Sequence, residues 1–135
     1  MKRIPVHAGL FILHPDGGGH LIGGECRACK QVHFPRLKSC PYCAADDCRE
    51  RELSQSGKLY LHTTVLNRPP GYRGEVPFGF GIVELPEGLR LVTRLTETRS
   101  ERLSLGMPMR LVITRLHTDD EGREVVSYAF AAVDE

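Results

Sequence analysis

The sequence predicts a mainly β chain in which a small metal-held ribbon precedes a closed strand barrel. Three observations predict it. Two C-x-x-C pairs, Cys26-Arg27-Ala28-Cys29 and Cys40-Pro41-Tyr42-Cys43, stand ten residues apart. Five short runs of alternating apolar and polar residues then follow between positions 58 and 133. Fourteen glycines and nine prolines in 135 residues supply the turns that such a strand-rich chain needs.

The cysteine pairs come first because they are the most specific signal. Each pair forms a tight knuckle presenting two thiolates, and two facing knuckles complete a tetrahedral S4 site. Coincidental buried or redox cysteines are the competing explanation, and the paired spacing weighs against them. Cys26, Cys29, Cys40 and Cys43 are therefore the predicted ligands of one structural Zn2+ in a rubredoxin-like zinc ribbon. Iron is disfavoured because no second cysteine set or redox partner is evident. Four thiolates leave no open coordination position, so the metal is expected to hold the fold and to do no chemistry.

Composition limits the remaining choices. Hydrophobic content of 41% and charged content of 26% are ordinary for a globular domain. The formal charge is +1, with eight Lys/Arg against six Asp/Glu in residues 1–52 and ten against eleven in the rest. That balance gives no footprint for nucleic acid or an anionic membrane. Five cysteines, four of them in knuckles, suit a reducing compartment, and no apolar run approaches eighteen residues. With no signal-peptide core at the N-terminus, a cytoplasmic protein is expected. Cys48 follows Asp46 and Asp47, which favour the neutral thiol, so it is expected to be a spectator.

Residues 1–19 are expected to form an N-terminal arm, with Gly9-Leu10-Phe11-Ile12-Leu13 either a strand or a docking segment, followed by the turn Pro15-Asp16-Gly17-Gly18-Gly19. Residues 20–52 form the zinc ribbon, with a short strand in Gln31-Val32-His33-Phe34-Pro35-Arg36. His14, His20 and His33 lie near the knuckles and are expected to pack or face solvent, the metal being already satisfied. Arg27, Lys30, Arg36 and Lys38 surround the metal loop. They either offset the net charge of −2 on a four-thiolate zinc or form a rim that meets a charged partner.

Residues 53–135 are expected to form the barrel. Strands are predicted at 58–66, 78–85, 89–95, 109–116 and 125–133, with Leu59, Leu61, Thr63 and Val65 sharing one face of the first. Gly79 and Gly81 thin one face of the second, as a sharp coil or a close approach of ligand or backbone requires. Pro86-Glu87-Gly88 and Asp119-Asp120-Glu121-Gly122 supply hairpin turns. Five antiparallel strands in about 80 residues suggest an OB-fold, with a sandwich or an SH3-like barrel as alternatives.

No G-x-S-x-G, H-E-x-x-H or phosphate loop occurs. Glu84, Glu87 and Glu97 show no matched pairing, and His62 has no visible partner in sequence. Nothing argues for an autonomous enzyme. The best candidate ligand site is the loop 67–77 with the strand that follows it. Arg68 and Arg73 can pair with phosphates, and Tyr72 or Phe78 can lie against an adenine ring. An ordinary exposed loop is the competing explanation.

Taken together, Leu21-Ile22-Gly23-Gly24-Glu25-Cys26-Arg27-Ala28-Cys29, Phe34-Pro35-Arg36, Cys40-Pro41-Tyr42-Cys43, Ser56-Gly57-Lys58-Leu59-Tyr60, Thr63-Thr64-Val65, Val83-Glu84-Leu85-Pro86-Glu87-Gly88-Leu89 and Leu105-Gly106-Met107-Pro108-Met109 resemble the zinc-ribbon/OB-fold family formerly called DUF35, in the family's order. Two departures stand out. The N-terminal segment is glycine-rich where many members have a helix, and Ala44 replaces a common glycine after the last knuckle. The resemblance implies a non-catalytic subunit of a hetero-oligomer with a thiolase-like partner, which supplies the nucleophile and the acid/base groups. It also implies a CoA ester at the complex interface, and a partner-facing surface around Arg27, Phe34 and Arg36.

Two other readings compete. A single-stranded nucleic-acid binder would use the same ribbon and barrel, but calls for a basic groove with stacking aromatics. The chain has no tryptophan and near-zero net charge. A self-sufficient acyl-CoA-binding or hydrolysing protein is the third reading, and it calls for turnover by the chain alone.

Overall fold

Alternating sequence becomes strand along most of the chain. The computed structural model describes residues 3–6, 9–15, 18–72 and 76–133. The strands are β1 (Arg3–Pro5), β2 (Phe11–Leu13), β3 (Gly19–Cys26), β4 (Val32–His33), β5 (Cys48–Glu52), β6 (Ser56–Val65), β7 (Phe78–Glu84), β8 (Arg90–Leu95), β9 (Pro108–Thr118) and β10 (Glu124–Ala132). One 3-10 turn, Ser100–Arg102, lies between β8 and β9. No helix among the described residues is long and apolar enough to cross a membrane.

Strands β6 to β10 close into a five-stranded barrel. β6 pairs antiparallel with β7, β7 with β8, and β9 with β10. β10 meets β8 in parallel, through Ala129↔Arg94 and Phe130↔Leu95. β6 and β9 complete the circuit through Ser56↔Arg110 and Lys58↔Pro108. This strand order is the OB arrangement. The interior is filled by Leu59, Val83, Leu91, Leu95, Met109, Val126 and Phe130, all buried. Phe130 is completely enclosed.

Two details of the barrel sharpen the sequence reading. Leu59 and Leu61 do not share a face. A register shift between them, opposite Val83 and Ile82, adds a residue to β6 and turns the later side chains over. Leu59 is buried and Leu61 is half exposed. Gly79 and Gly81 answer to backbone rather than ligand. A Cβ on Gly79 would run into the carbonyl oxygen of Glu97, and one on Gly81 into that of Leu61. Both glycines let neighbouring chain cross close over the strand.

The described residues ahead of β3 reach both sheets. β1 adds to the barrel sheet in parallel with β10, through Ile4↔Val125. Val6 N–H extends the pairing by donating to the Val126 carbonyl at 2.8 Å. β2 is the strand option for the Gly9–Leu13 segment and pairs antiparallel with β3 through Phe11↔Leu21. Asp16 and Gly17 of the expected turn lie outside the described residues.

β3 is the spine of the ribbon, pairing with β2, β4 and β5. β5 carries Arg49, Glu50, Arg51 and Glu52 and has no apolar alternation. It is strand because β3 offers it a ladder and Glu25 accepts ion pairs from Arg49 and Arg51. Those contacts draw the Glu25 carboxyl below the usual carboxylate range, chiefly through the Arg49 hydrogen bond. The ribbon seats on the barrel through Gln55, which donates to the Gly19 carbonyl at 2.6 Å, while its own carbonyl accepts from Leu111 N–H at 2.7 Å.

Candidate functional site

The two knuckles have the same local construction. Lys30 N–H donates to the Cys26 carbonyl and Ala44 N–H to the Cys40 carbonyl, each at 2.9 Å. The residue after each second cysteine is left-handed, Lys30 at φ 68° and Ala44 at φ 66°. Backbone N–H groups also approach the sulfurs, Cys29 N to Cys26 Sγ at 3.5 Å and Tyr42 N to Cys40 Sγ at 3.3 Å. Turns of this form bring both thiols of a pair to one side of the backbone.

All four sulfurs lie within 4.8 Å of one another. Cys26 Sγ to Cys43 Sγ and Cys29 Sγ to Cys40 Sγ are both 3.6 Å. Zinc–sulfur bonds of about 2.3 Å in a tetrahedron require an edge of about 3.8 Å. The tetrad therefore fits a zinc ion held by Cys26, Cys29, Cys40 and Cys43. Its electrostatics point the same way. Cys26 is held down to about 6, chiefly by the Cys29 N–H, with burial opposing. Cys29 is pushed up to about 12, because burial and the three neighbouring thiols outweigh the Gln31 N–H that pulls it down. Four thiolates this close repel one another, and a divalent cation is what lets all four ionise. When bound, the ion supplies a structural crosslink and no open position.

Among the described residues, the four cysteines are the group that could hold the metal. His33 is buried, and its Nε2 accepts from Leu37 N–H at 3.0 Å, which pins the loop beyond β4. His14 Nε2 and His20 Nδ1 lie 2.7 Å apart, with Glu52 3.4 Å from His20 Nε2. Cys48, at the start of β5, sits directly opposite Cys26 of β3. Its thiol is raised, but the leading cause is burial, followed by the charge of Cys26 and Cys40, and not the preceding aspartates. Those aspartates instead meet the rim cations: Arg27 lies 3.8 Å from Asp47 and Lys38 3.8 Å from Asp46.

Arg27 and Arg36 are both exposed beside the metal loop. Phe34 is half-buried, with its ring edge-on to Tyr128 of β10. Its aromatic face serves the ribbon–barrel contact, which leaves the two arginines as the solvent-facing part of that trio.

At the barrel, the structure brings Tyr72 and Phe78 together, their rings 4.8 Å apart and inclined at 36°. Arg68 is exposed and does not line the hollow beneath this pair, and Arg73 lies outside the described residues. The hollow encloses about 270 Å³ and carries a residue that sequence reasoning missed. Arg94 enters it half-buried, donating through Nη2 to Thr114 Oγ1 at 2.7 Å. Burial pulls its guanidinium below the usual value, and the Tyr72 hydroxyl offsets part of that. The available signal was the outward alternation Arg90, Val92, Arg94 along β8. Register separates the two arginines: Arg90 faces Glu84 across the sheet and pairs with it at 3.0 Å, whereas Arg94 faces Phe80.

Comparison with known proteins places this architecture. Residues 19–49 match the family model for the rubredoxin-like zinc ribbon domain of ChsH2, and residues 50–114 that for the C-terminal OB-fold domain of ChsH2. The chain belongs to the DUF35 family of zinc-ribbon/OB-fold proteins. It is 31% identical to a DUF35 domain-containing scaffold protein of Methanocaldococcus jannaschii, over 84% of this chain and 82% of that one. It is 29% identical to the benzoylsuccinyl-CoA thiolase subunit BbsA of Thauera aromatica, over 94% of this chain and 87% of the relative. A solved structure described as the Ltp2-ChsH2(DUF35) aldolase superposes with a TM-score of 0.62 at 30% identity, covering 84% of each chain. The protein is thus a zinc-ribbon/OB-fold protein homologous to a DUF35 scaffold protein and to subunits of thiolase- and aldolase-type enzymes.

Proposed function

We propose that this chain is a non-catalytic subunit that assembles with a thiolase-like catalytic partner and supports CoA-dependent thiolytic chemistry on an acyl-CoA. The observation that carries this reading is the nearly end-to-end likeness to a thiolase subunit, over 94% of this chain. The residues agree with it. The S4 site is closed, and the sequence carries no nucleophile–base signature. The partner would supply the reacting groups, and Arg27 and Arg36, exposed beside the metal loop, would face it. A CoA ester at the interface would meet this chain near Tyr72 and Phe78, with Arg68 and Arg73, their neighbours in sequence, as candidate partners for its phosphates. In its finest form the reading makes this the small subunit of a benzoylsuccinyl-CoA thiolase.

The test is purification of the tagged chain from its native cell, with the co-eluting proteins identified and the eluate assayed for thiolysis of acyl-CoA. A thiolase-like chain in fixed stoichiometry, with activity absent from either chain alone, is expected. A protein that runs alone and binds no CoA ester overturns the reading. Strongly salt-dependent binding of oligonucleotides would favour the nucleic-acid alternative instead.

A further inference from the structure

We propose that the hollow between the barrel strands β8 and β9 is a phosphate-monoester site, with the Arg94 guanidinium receiving the phosphate and the Tyr72–Phe78 pair receiving a flat group attached to it. This inference refines the proposed CoA-ester contact at Tyr72 and Phe78 by naming the chemistry that the chain itself would bind, and it is tested on the isolated chain, apart from assembly.

The first ground is an uncompensated charge. Arg3, Arg27, Arg49, Arg51, Arg90 and Arg123 each lie within ion-pair distance of a carboxylate. Arg94 has no such partner among the described residues, although it is more buried than Arg90 on the same strand. A guanidinium withdrawn from water without a counter-charge costs free energy that an anion entering the hollow would recover.

The second ground is donor geometry. Thr114 Oγ1 accepts a hydrogen bond from Arg94, so its own proton is left to donate elsewhere. The Tyr72 hydroxyl lies close to the same guanidinium and offsets part of the burial that lowers it. The Arg115 and Thr98 side chains line the same hollow. Guanidinium N–H groups together with hydroxyl protons suit a tetrahedral oxyanion, which accepts from several directions at once.

The third ground is shape. A hollow of about 270 Å³ lies just below the range of sites that enclose a whole drug-sized ligand, so it takes a charged end and leaves the remainder at the rim. There the inclined rings of Tyr72 and Phe78 offer a flat apolar surface, continued by Phe80 edge-on to Phe78 at 6.5 Å. A carboxylate-bearing peptide would satisfy the charge but would leave that surface unused. A nucleotide uses both.

The experiment is calorimetric titration of the isolated, zinc-loaded chain at low ionic strength with inorganic phosphate, adenosine and adenosine 5′-monophosphate. The monophosphate is expected to bind most tightly, with inorganic phosphate weaker and adenosine weakest. Arg94→Met should weaken the monophosphate at least about tenfold. Phe78→Leu should bring it to the level of inorganic phosphate. If Arg94→Met melts before binding can be read, Thr114→Val, which removes one donor and keeps the volume, should weaken binding severalfold. Equal binding to the wild type and the soluble variants overturns the site, as does adenosine binding as tightly as its monophosphate. A single-stranded oligonucleotide that outcompetes the monophosphate at Arg94 overturns the assignment to a small ligand.

Discussion

The Phe34 ring stands edge-on to the Tyr128 ring, 88° between planes and 5.6 Å between centroids, so a residue of the metal loop is seated on the last barrel strand. Phe11 approaches the same tyrosine at 6.4 Å and 69°. Tyr128 is therefore the aromatic hinge-pin between the two sheets, and its hydroxyl reaches the Val92 carbonyl at 3.3 Å. A double-mutant cycle with Phe34→Leu and Tyr128→Leu should give a coupling of about 0.5–1.5 kcal/mol in denaturant unfolding. Additive losses would mean that the rings are neighbours without interacting.

The metal should be measurable as one zinc per chain. Cys26→Ser or Cys40→Ser is expected to reduce bound zinc sharply. Hydrogen exchange should then quicken in β3 to β5 before it does in β6 to β10. Structural zinc contributes roughly 10–16 kcal/mol of apparent binding free energy in small fingers, far more than this ribbon's few buried side chains supply. Full zinc content in both variants would argue against the four-cysteine site.

Ala44 occupies a backbone conformation that suits glycine better. A left-handed L-residue costs about 1–2 kcal/mol, and glycine returns part of that through the freedom of the unfolded chain. Ala44→Gly should therefore stabilise the zinc-loaded ribbon by about 0.5 kcal/mol and slow zinc loss to a chelator. Ala44→Val should do the opposite, since a β-branched side chain tolerates this φ least. A faster loss from the glycine variant would contradict this.

Asp119 anchors the β9–β10 turn. Its carboxylate accepts from Arg123 N–H at 2.8 Å, Arg123 Nε at 2.8 Å and Glu121 N–H at 3.0 Å. Burial raises this carboxyl, but the hydrogen bonds outweigh it and hold the group below its ordinary 3.8. A depressed carboxyl stabilises fully above its unfolded value, and that contribution fades as pH falls through the folded one. Thermal midpoints from neutral pH to about pH 2 should therefore drop less steeply at the acid end in Asp119→Asn than in the wild type. Parallel acid limbs would show that the turn does not titrate with folding.

Local pattern was enough for the knuckles and for β7 to β10, because cysteine spacing and period-two alternation are properties of short windows. What depended on a partner strand was not legible. Leu61 turns outward because of a bulge defined against Ile82, and nothing within residues 58–66 announces it. β5 is strand without an apolar face because β3 lies beside it. Tyr72 and Phe78 could be singled out by residue type. Arg94 acquires its interest only from Tyr72 and Thr114, each about twenty residues away in the chain. The sequence offers a sharp coil or a close approach of ligand or backbone at Gly79 and Gly81, and only the fold shows that carbonyl oxygens do the approaching.

The parallel strand β1 has a consequence for dissecting the molecule. Because β1 and β6 belong to the same barrel sheet, the metal-bearing segment leaves that sheet and returns to it, and both its ends are clamped. It is topologically an insertion and not an appendage. A cut in the peptide between β5 and β6 would not set it free, since β1 stays hydrogen-bonded along β10 from Arg3 to Val6. A fragment starting at residue 50 would expose the β10 edge that β1 covers, and would tend to recruit a foreign strand there.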